Sequence, residues 1–162
     1  MTEELISWSD DLSVGIQEVD KQHKHLVELL NNLHRAIREH HGSSVARDML
    51  RDLTEYTRVH FATEESLMQA SSYPEYDSHK VKHEALIQQV VALQKKVAAG
   101  ETGISFELLH FLKNWLTQHI QVVDKQFGAF FIKSIRHRTS TPDTAGNVAR
   151  AEEARHWWKF WQ

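Results

Sequence analysis

His79-Lys80-Val81-Lys82-His83-Glu84-Ala85-Leu86-Ile87-Gln88-Gln89-Val90 is the stretch on which the fold turns. His79 and His83 open an apolar stripe that continues through Leu86, Val90, Leu93 and Val97, the three-and-four spacing of a helix that buries one face. A histidine on such a stripe must find a partner in the core. Three other segments repeat the arrangement. His23 heads Leu26, Leu30, Leu33 and Ile37; His60 and Glu64 lie among Met49, Leu53, Tyr56 and Leu67; His119 lies among Leu108, Leu112, Trp115, Val123, Phe127 and Phe130.

Helix punctuation supports four long helices. The first reads from about residue 20 to 41, with Gly42 as its C-cap and Ser43-Ser44 as the N-cap of a second helix from about 44 to 70. Ser72-Tyr73-Pro74-Glu75 has capping-box spacing and a proline in the first turn, so it is predicted to start a third helix running to Gly100. Gly100-Glu101-Thr102-Gly103 then leads into the fourth. Short links between long helices predict antiparallel neighbours and an all-α, up-down-up-down four-helix bundle. Residues 1–19 alternate around Gly15 in a way no helix does, which predicts an extended N-terminal arm across the bundle with Trp8 in a structural role. The bundle unit is expected to span residues 1–138 and a tail 139–162.

The 162 residues suit one domain, and 41% hydrophobic content is enough for a sizeable core. Nineteen basic and twenty-two acidic residues give a formal charge of −3; with no block of like charge to track phosphates, nucleic acid is not expected as a partner. The absence of cysteine rules out disulfides and thiolate ligands and fits a reducing cytoplasm. The acidic N-terminus has no basic or apolar run of a signal peptide, and no stretch approaches the roughly 20 apolar residues of a membrane span. A cytoplasmic location is therefore expected.

Of twelve histidines, His25, His34, His40, His41, His110, His137 and His156 lie off the main stripes or near loops and termini, and read as solvated or hydrogen-bonded. The other five coincide with core faces of all four helices. One histidine pair at i,i+4 is a chance event, but such a coincidence with Glu64 and Asp124 nearby is not. A pair of metal ions inside the bundle would satisfy all seven side chains. If both metals are octahedral, five neutral imidazoles, two bridging carboxylates and a bridging solvent oxygen fill all but one of the positions available. An open position in an apolar cavity suits a small exogenous ligand. Imidazoles and carboxylates without sulfur admit iron, manganese or zinc, and iron is the one suited to dioxygen.

Val14-Gly15-Ile16-Gln17-Glu18-Val19-Asp20-Lys21-Gln22-His23, His60-Phe61-Ala62-Thr63-Glu64-Glu65, His79-Lys80-Val81-Lys82-His83 and Trp115-Leu116-Thr117-Gln118-His119-Ile120-Gln121-Val122-Val123-Asp124-Lys125 together resemble the signature of the hemerythrins, the single-domain bacteriohemerythrins in particular. The resemblance spans about residues 5 to 132 and supplies a match for every one of the seven positions. It implies a non-haem di-iron centre in which His79, His83 and His119 bind one iron, His23 and His60 bind the other, and Glu64, Asp124 and a solvent oxygen bridge them. It further implies reversible dioxygen binding at the two-histidine iron, in a carrier or store and not an enzyme. Phe61, Trp115 and Val123 are candidates for keeping water out of the pocket, or simply for packing the core. A peroxidase, oxidase or nitric-oxide-handling enzyme, or an oxygen sensor, could use the same centre. A ferritin-like site would need Glu-x-x-His pairs; Glu107 to His110 and Glu153 to His156 have that spacing but fall off the core stripe and in the tail, and read as accidental.

Two features stand apart. His119 and Asp124 are five residues apart, about 140° on a regular helix, so a π-bulge or similar irregularity is predicted between them. The tail contains a linker, Thr139-Ser140-Thr141-Pro142-Asp143-Thr144-Ala145-Gly146, and then a short helical candidate ending in Trp157, Trp158, Phe160 and Trp161. This cluster is expected to fold back or mediate self-association, with a membrane surface or an oxygen-consuming partner as the alternative.

Overall fold

A computed structural model describes residues 4–140 of the chain. Its helices are α1 (Gln17–Arg38), α2 (Ser43–Ser71), α3 (Tyr76–Ala98), α4 (Phe106–Gln118) and α5 (Lys125–Ser140); a π-helical segment, His119–Asp124, joins the last two into one rod. The described residues contain no strand, and the result is the four-helix bundle expected from the sequence. No helix among them is long and apolar enough to cross a membrane. The tail expected from residue 139 begins later, since Thr139 and Ser140 still belong to α5; its remainder, residues 141–162 with the tryptophan cluster, lies outside the described residues.

The predicted stripes are the core. His23, Leu26, Leu30 and Leu33 of α1, Leu53, His60 and Glu64 of α2, and His79, His83, Leu86, Val90 and Val97 of α3 are all buried. Each fully buried leucine contributes about 1.5–3 kcal/mol. On the last rod the inward face differs from the prediction. Leu109 and Ile120 are fully buried, whereas Leu108 and Val123 are only half-buried. The π segment inserts one extra residue, so the register read through Val123 gives way to one read through Asp124 and Phe127.

Helix ends show two corrections. α1 stops at Arg38, and the left-handed residue after its cap is His40 (φ 53°), not Gly42; the His41 amide bonds back to Ala36 (3.0 Å) and that of His40 to Ile37 (3.3 Å), the pattern usually built on glycine. Gly42 instead precedes α2 as its N-cap, with Ser43 and Ser44 inside the helix. Ser72 likewise closes α2 in the left-handed region (φ 55°) and does not open α3, whose N-cap is Glu75 without a side-chain cap bond. Three-residue spacing alone cannot distinguish a capping box from a helix end followed by a proline turn. Gly100, at φ 74°, ends α3 as expected: the Glu101 amide bonds to Lys96 at 3.0 Å.

The N-terminal arm packs across the bundle, burying Leu5, Ile6, Leu12, Val14 and Ile16. A short 3-10 turn, Asp10–Leu12, interrupts its extended course. Asn31 of α1 holds both backbone groups of Ile6, accepting from its amide (3.0 Å) and donating to its carbonyl (2.8 Å). Asp20 accepts from the Val14 amide (2.7 Å) and the Ser13 hydroxyl (2.6 Å). Trp8 packs against the core with the Lys24 ammonium 5.1 Å from its ring centre. The arm runs so close to α5 that a Cβ at Gly128 would fall on the Val14 carbonyl.

Candidate metal centre

The four helices bring all seven predicted side chains together. They form two overlapping groups, Glu64 with His79, His83, His119 and Asp124, and Glu64 with His23, His60 and Asp124; within each, one ligand atom per residue lies within 4.8 Å of every other. The i,i+4 spacing puts His60 and Glu64, and His79 and His83, on single faces of α2 and α3. The π segment does the same for a five-residue interval, running from His119 to Asp124 so that both are buried. The predicted irregularity is thus the device that carries Asp124 inward.

The Nε2 atoms converge. Those of His23 and His60 are 3.1 Å apart, and His119 Nε2 is 3.1 Å from that of His83 and 3.2 Å from that of His79. Asp124 faces both groups, with Oδ1 3.1 Å from His79 and His119 and Oδ2 3.3 Å from His23. Glu64 does likewise, with Oε2 3.3 Å from His83 and Oε1 3.9 Å from His23. These are ion-pair distances without hydrogen-bond alignment, so all four carboxylate oxygens are buried with no hydrogen-bond partner.

Such an arrangement is costly without a cation. Burial, followed by the charge of Asp124, raises the Glu64 carboxyl well above its ordinary range. Burial opposes ionisation of Asp124 too, but His119, His23 and His79 outweigh it and hold that carboxyl well below its ordinary range. Burial, followed mainly by neighbouring imidazoles, lowers His60 and His83 far below the usual histidine value. Burial also lowers His79, although Asp124 works in the opposite direction. These surroundings therefore favour neutral imidazoles at His60, His79 and His83 and a single negative charge carried by Asp124. Neutral imidazole Nε2 atoms and unpartnered carboxylate oxygens are the donor set of a divalent metal of the iron, manganese or zinc type, and the residues fit such a metal.

Gln22 and Glu65 support the site, although their helical positions gave no more than a polar neighbour of a predicted ligand. Gln22 Oε1 is 3.0 Å from His60 Nδ1, and Glu65 Oε1 is 3.1 Å from His83 Nδ1. Phe61 stacks on His83, with ring centres 3.6 Å apart and an interplanar angle of 3°. Trp115 stacks on His119 at 4.3 Å and 13°. Val123 is half-buried. Of the histidines set aside from the sequence, His25, His40, His41, His110 and His137 are exposed and His34 is half-buried. Glu107 and His110 are exposed, so that pair forms no inward site; His156 lies outside the described residues.

The profile of the Hemerythrin HHE cation binding domain family matches residues 14–131. A bacteriohemerythrin of Stenotrophomonas maltophilia (strain R551-3) is 38% identical over 123 residues, covering 76% of this chain and 79% of the relative. One from Pseudomonas aeruginosa (strain LESB58) is 38% identical over 133 residues, covering 82% and 83%. Among solved structures, wild-type hemerythrin superposes with a TM-score of 0.75 at 31% identity, covering 78% of this chain and 98% of that one; a leucine-to-alanine mutant of hemerythrin gives 0.77 at 30%, with 80% and 98% covered. Sequence, fold and the buried cluster of imidazoles and carboxylates agree, and this chain belongs to the hemerythrin family.

Proposed function

We propose that the seven clustered side chains hold two iron ions and that the protein binds dioxygen reversibly, as a carrier or store and not as an enzyme. His79, His83 and His119 would hold one iron, His23 and His60 the other, and Glu64 and Asp124 would span both, with a solvent oxygen as the third bridge. An iron pair held there would supply two electrons, one from each metal, to a dioxygen molecule. The observation that carries this reading is the division of the cluster into a group with three histidines and one with two, sharing both carboxylates. The group with fewer protein donors is where an exogenous ligand finds room.

The surroundings favour a small apolar guest. A cavity of about 40 Å³ lies between the helices, lined by Leu26, Leu30, Phe61, Leu86, Trp115 and Leu116 among others, and Phe61 and Trp115 are the rings that stack on His83 and His119. Other buried polar side chains near the core are already committed. Thr54 donates to the Leu50 carbonyl at 2.7 Å, Ser71 to the Leu67 carbonyl at 2.8 Å, and Gln22 is engaged with His60. Neutral donors outnumber anionic ones, which stabilises high-valent iron less than a carboxylate-rich site would. Replacing a ligand histidine, such as His119→Glu, should therefore speed irreversible oxidation; an unchanged autoxidation rate would count against this account of reversibility.

The test is the visible absorption of anaerobically reduced, iron-loaded protein, recorded before air, in air and then under vacuum. A band that appears in air and disappears under vacuum is expected. Prompt bleaching with formation of an oxidised product would identify an oxidase instead.

A further inference from the structure

Two of the five clustered histidines carry a side-chain partner on the ring nitrogen that faces away from the centre, and the partners differ in charge. His60 Nδ1 meets the amide of Gln22 at 3.0 Å, whereas His83 Nδ1 meets the carboxylate of Glu65 at 3.1 Å. Nδ1 of His23 and of His79 has no hydrogen-bond partner. An imidazole that binds metal through Nε2 keeps its proton on Nδ1 and donates it outward. A carboxylate in that position makes the ring a stronger donor than an amide does.

The Gln22 orientation is fixed by its other contacts. Its Nε2 lies 3.3 Å from Glu18 Oε1 and 3.3 Å from Thr63 Oγ1. The Glu18 and Thr63 oxygens accept from the amide nitrogen, which leaves the amide oxygen facing His60. Glu65 has its own anchor, Lys80 Nζ at 3.7 Å. The two supports fall one in each group, Gln22 behind the two-histidine group and Glu65 behind the three-histidine group.

We propose that Gln22 and Glu65 are positioning residues that make the two halves of the centre electronically unequal, the anionic Glu65 favouring the higher oxidation state on the three-histidine side and the neutral Gln22 leaving the two-histidine side electron-poor. The proposal rests on the di-iron reading above. It assigns control of the inequality to two outer contacts in addition to the ligand count.

The test uses full-length, iron-loaded protein in three forms: wild type, Glu65→Gln, and the double variant Glu18→Gln with Gln22→Glu. Glu65→Gln keeps an acceptor for His83 and removes the charge. The double variant moves a carboxylate from position 18 to position 22 without changing net charge, and the amide introduced at position 18 can donate to the carboxylate introduced at position 22. Metal content, helical content and the midpoint potential of the iron pair are measured. We expect two irons per chain and unchanged helicity in every form, with the potential raised in Glu65→Gln and lowered in the double variant. Competition with a chromophoric chelator should show about 10–100-fold weaker iron binding in Glu65→Gln. Equal potentials in variants that retain two irons, or shifts in the same direction, would overturn the proposal while leaving the di-iron reading intact. A wild-type protein that cannot hold two irons would overturn both.

Discussion

Near the N-terminus of α1 the interior of the bundle is filled by five imidazoles and two carboxylates; a few turns along the same helices it is filled by Leu30, Leu33, Leu50, Leu53, Val90 and Leu109. The same helical periodicity builds both regions, but their energetics are opposed. The aliphatic half is stabilised by removing apolar surface from water. The polar half contains four carboxylate oxygens and two ring nitrogens without hydrogen-bond partners, and the cost of the carboxylate oxygens is one that a cation and its ligand bonds would reverse. A fold can carry such a cluster because its other half is self-sufficient.

The contrast is sharpest in substitutions that should act in opposite directions. Leu50→Ala, in the aliphatic half, should cost about 2–5 kcal/mol with or without metal, and denaturant unfolding of both forms would show it; a loss confined to the metal-loaded form would break the comparison. Glu64→Met should abolish binding of the metal pair, yet stabilise the metal-free protein by about 1–3 kcal/mol, because it replaces a buried carboxyl without hydrogen-bond partners by an apolar side chain of similar size. A metal-free variant less stable than the metal-free parent would show that the cluster holds itself together.

Smaller effects refine the picture. Gly128→Ala forces the arm away from α5 where Val14 crosses it, and should cost about 1–3 kcal/mol while making the arm more susceptible to proteolysis. Arm cleavage at the parent rate would contradict that close approach. Acid should also weaken the metal-free protein. His60, His79 and His83 bind protons less readily folded than unfolded, so below about pH 6.5 the unfolded chain takes up protons that the folded chain refuses, and stability falls with pH. Glu64 is raised and acts in the opposite direction, one group against three. Thermal melts between neutral and mildly acidic pH would show a falling midpoint, and a rising one would reverse the sign.

Most of this architecture was legible because helix period and ligand spacing reinforce each other. His60 with Glu64, and His79 with His83, sit four apart on stripes that are apolar elsewhere, so both the inward face and the site could be read together. His119 and Asp124 announced their irregular backbone by the very interval that fits no regular helix. The helix ends were less legible. His40 takes the left-handed conformation that Gly42 was expected to supply, and Ser72, expected to open the third helix, closes the second in that conformation, because local hydrogen bonds at a chain reversal tolerate more than one residue type. Ile120 was missed because the π segment rotates the buried face, and Leu109 because the stripe was read through its half-buried neighbour Leu108 in regular α4. Gln22 and Glu65 were invisible as supports because each follows or precedes a clustered residue in sequence but serves a histidine on a different helix, a relation that only packing creates.

Whether seven side chains from four helices bind a pair of metal ions is tested most directly by the iron content of full-length protein, reconstituted anaerobically with ferrous iron and freed of excess metal. Two irons per chain are expected, and both should be lost on Glu64→Met. One iron per parent chain, or none, would contradict the paired centre.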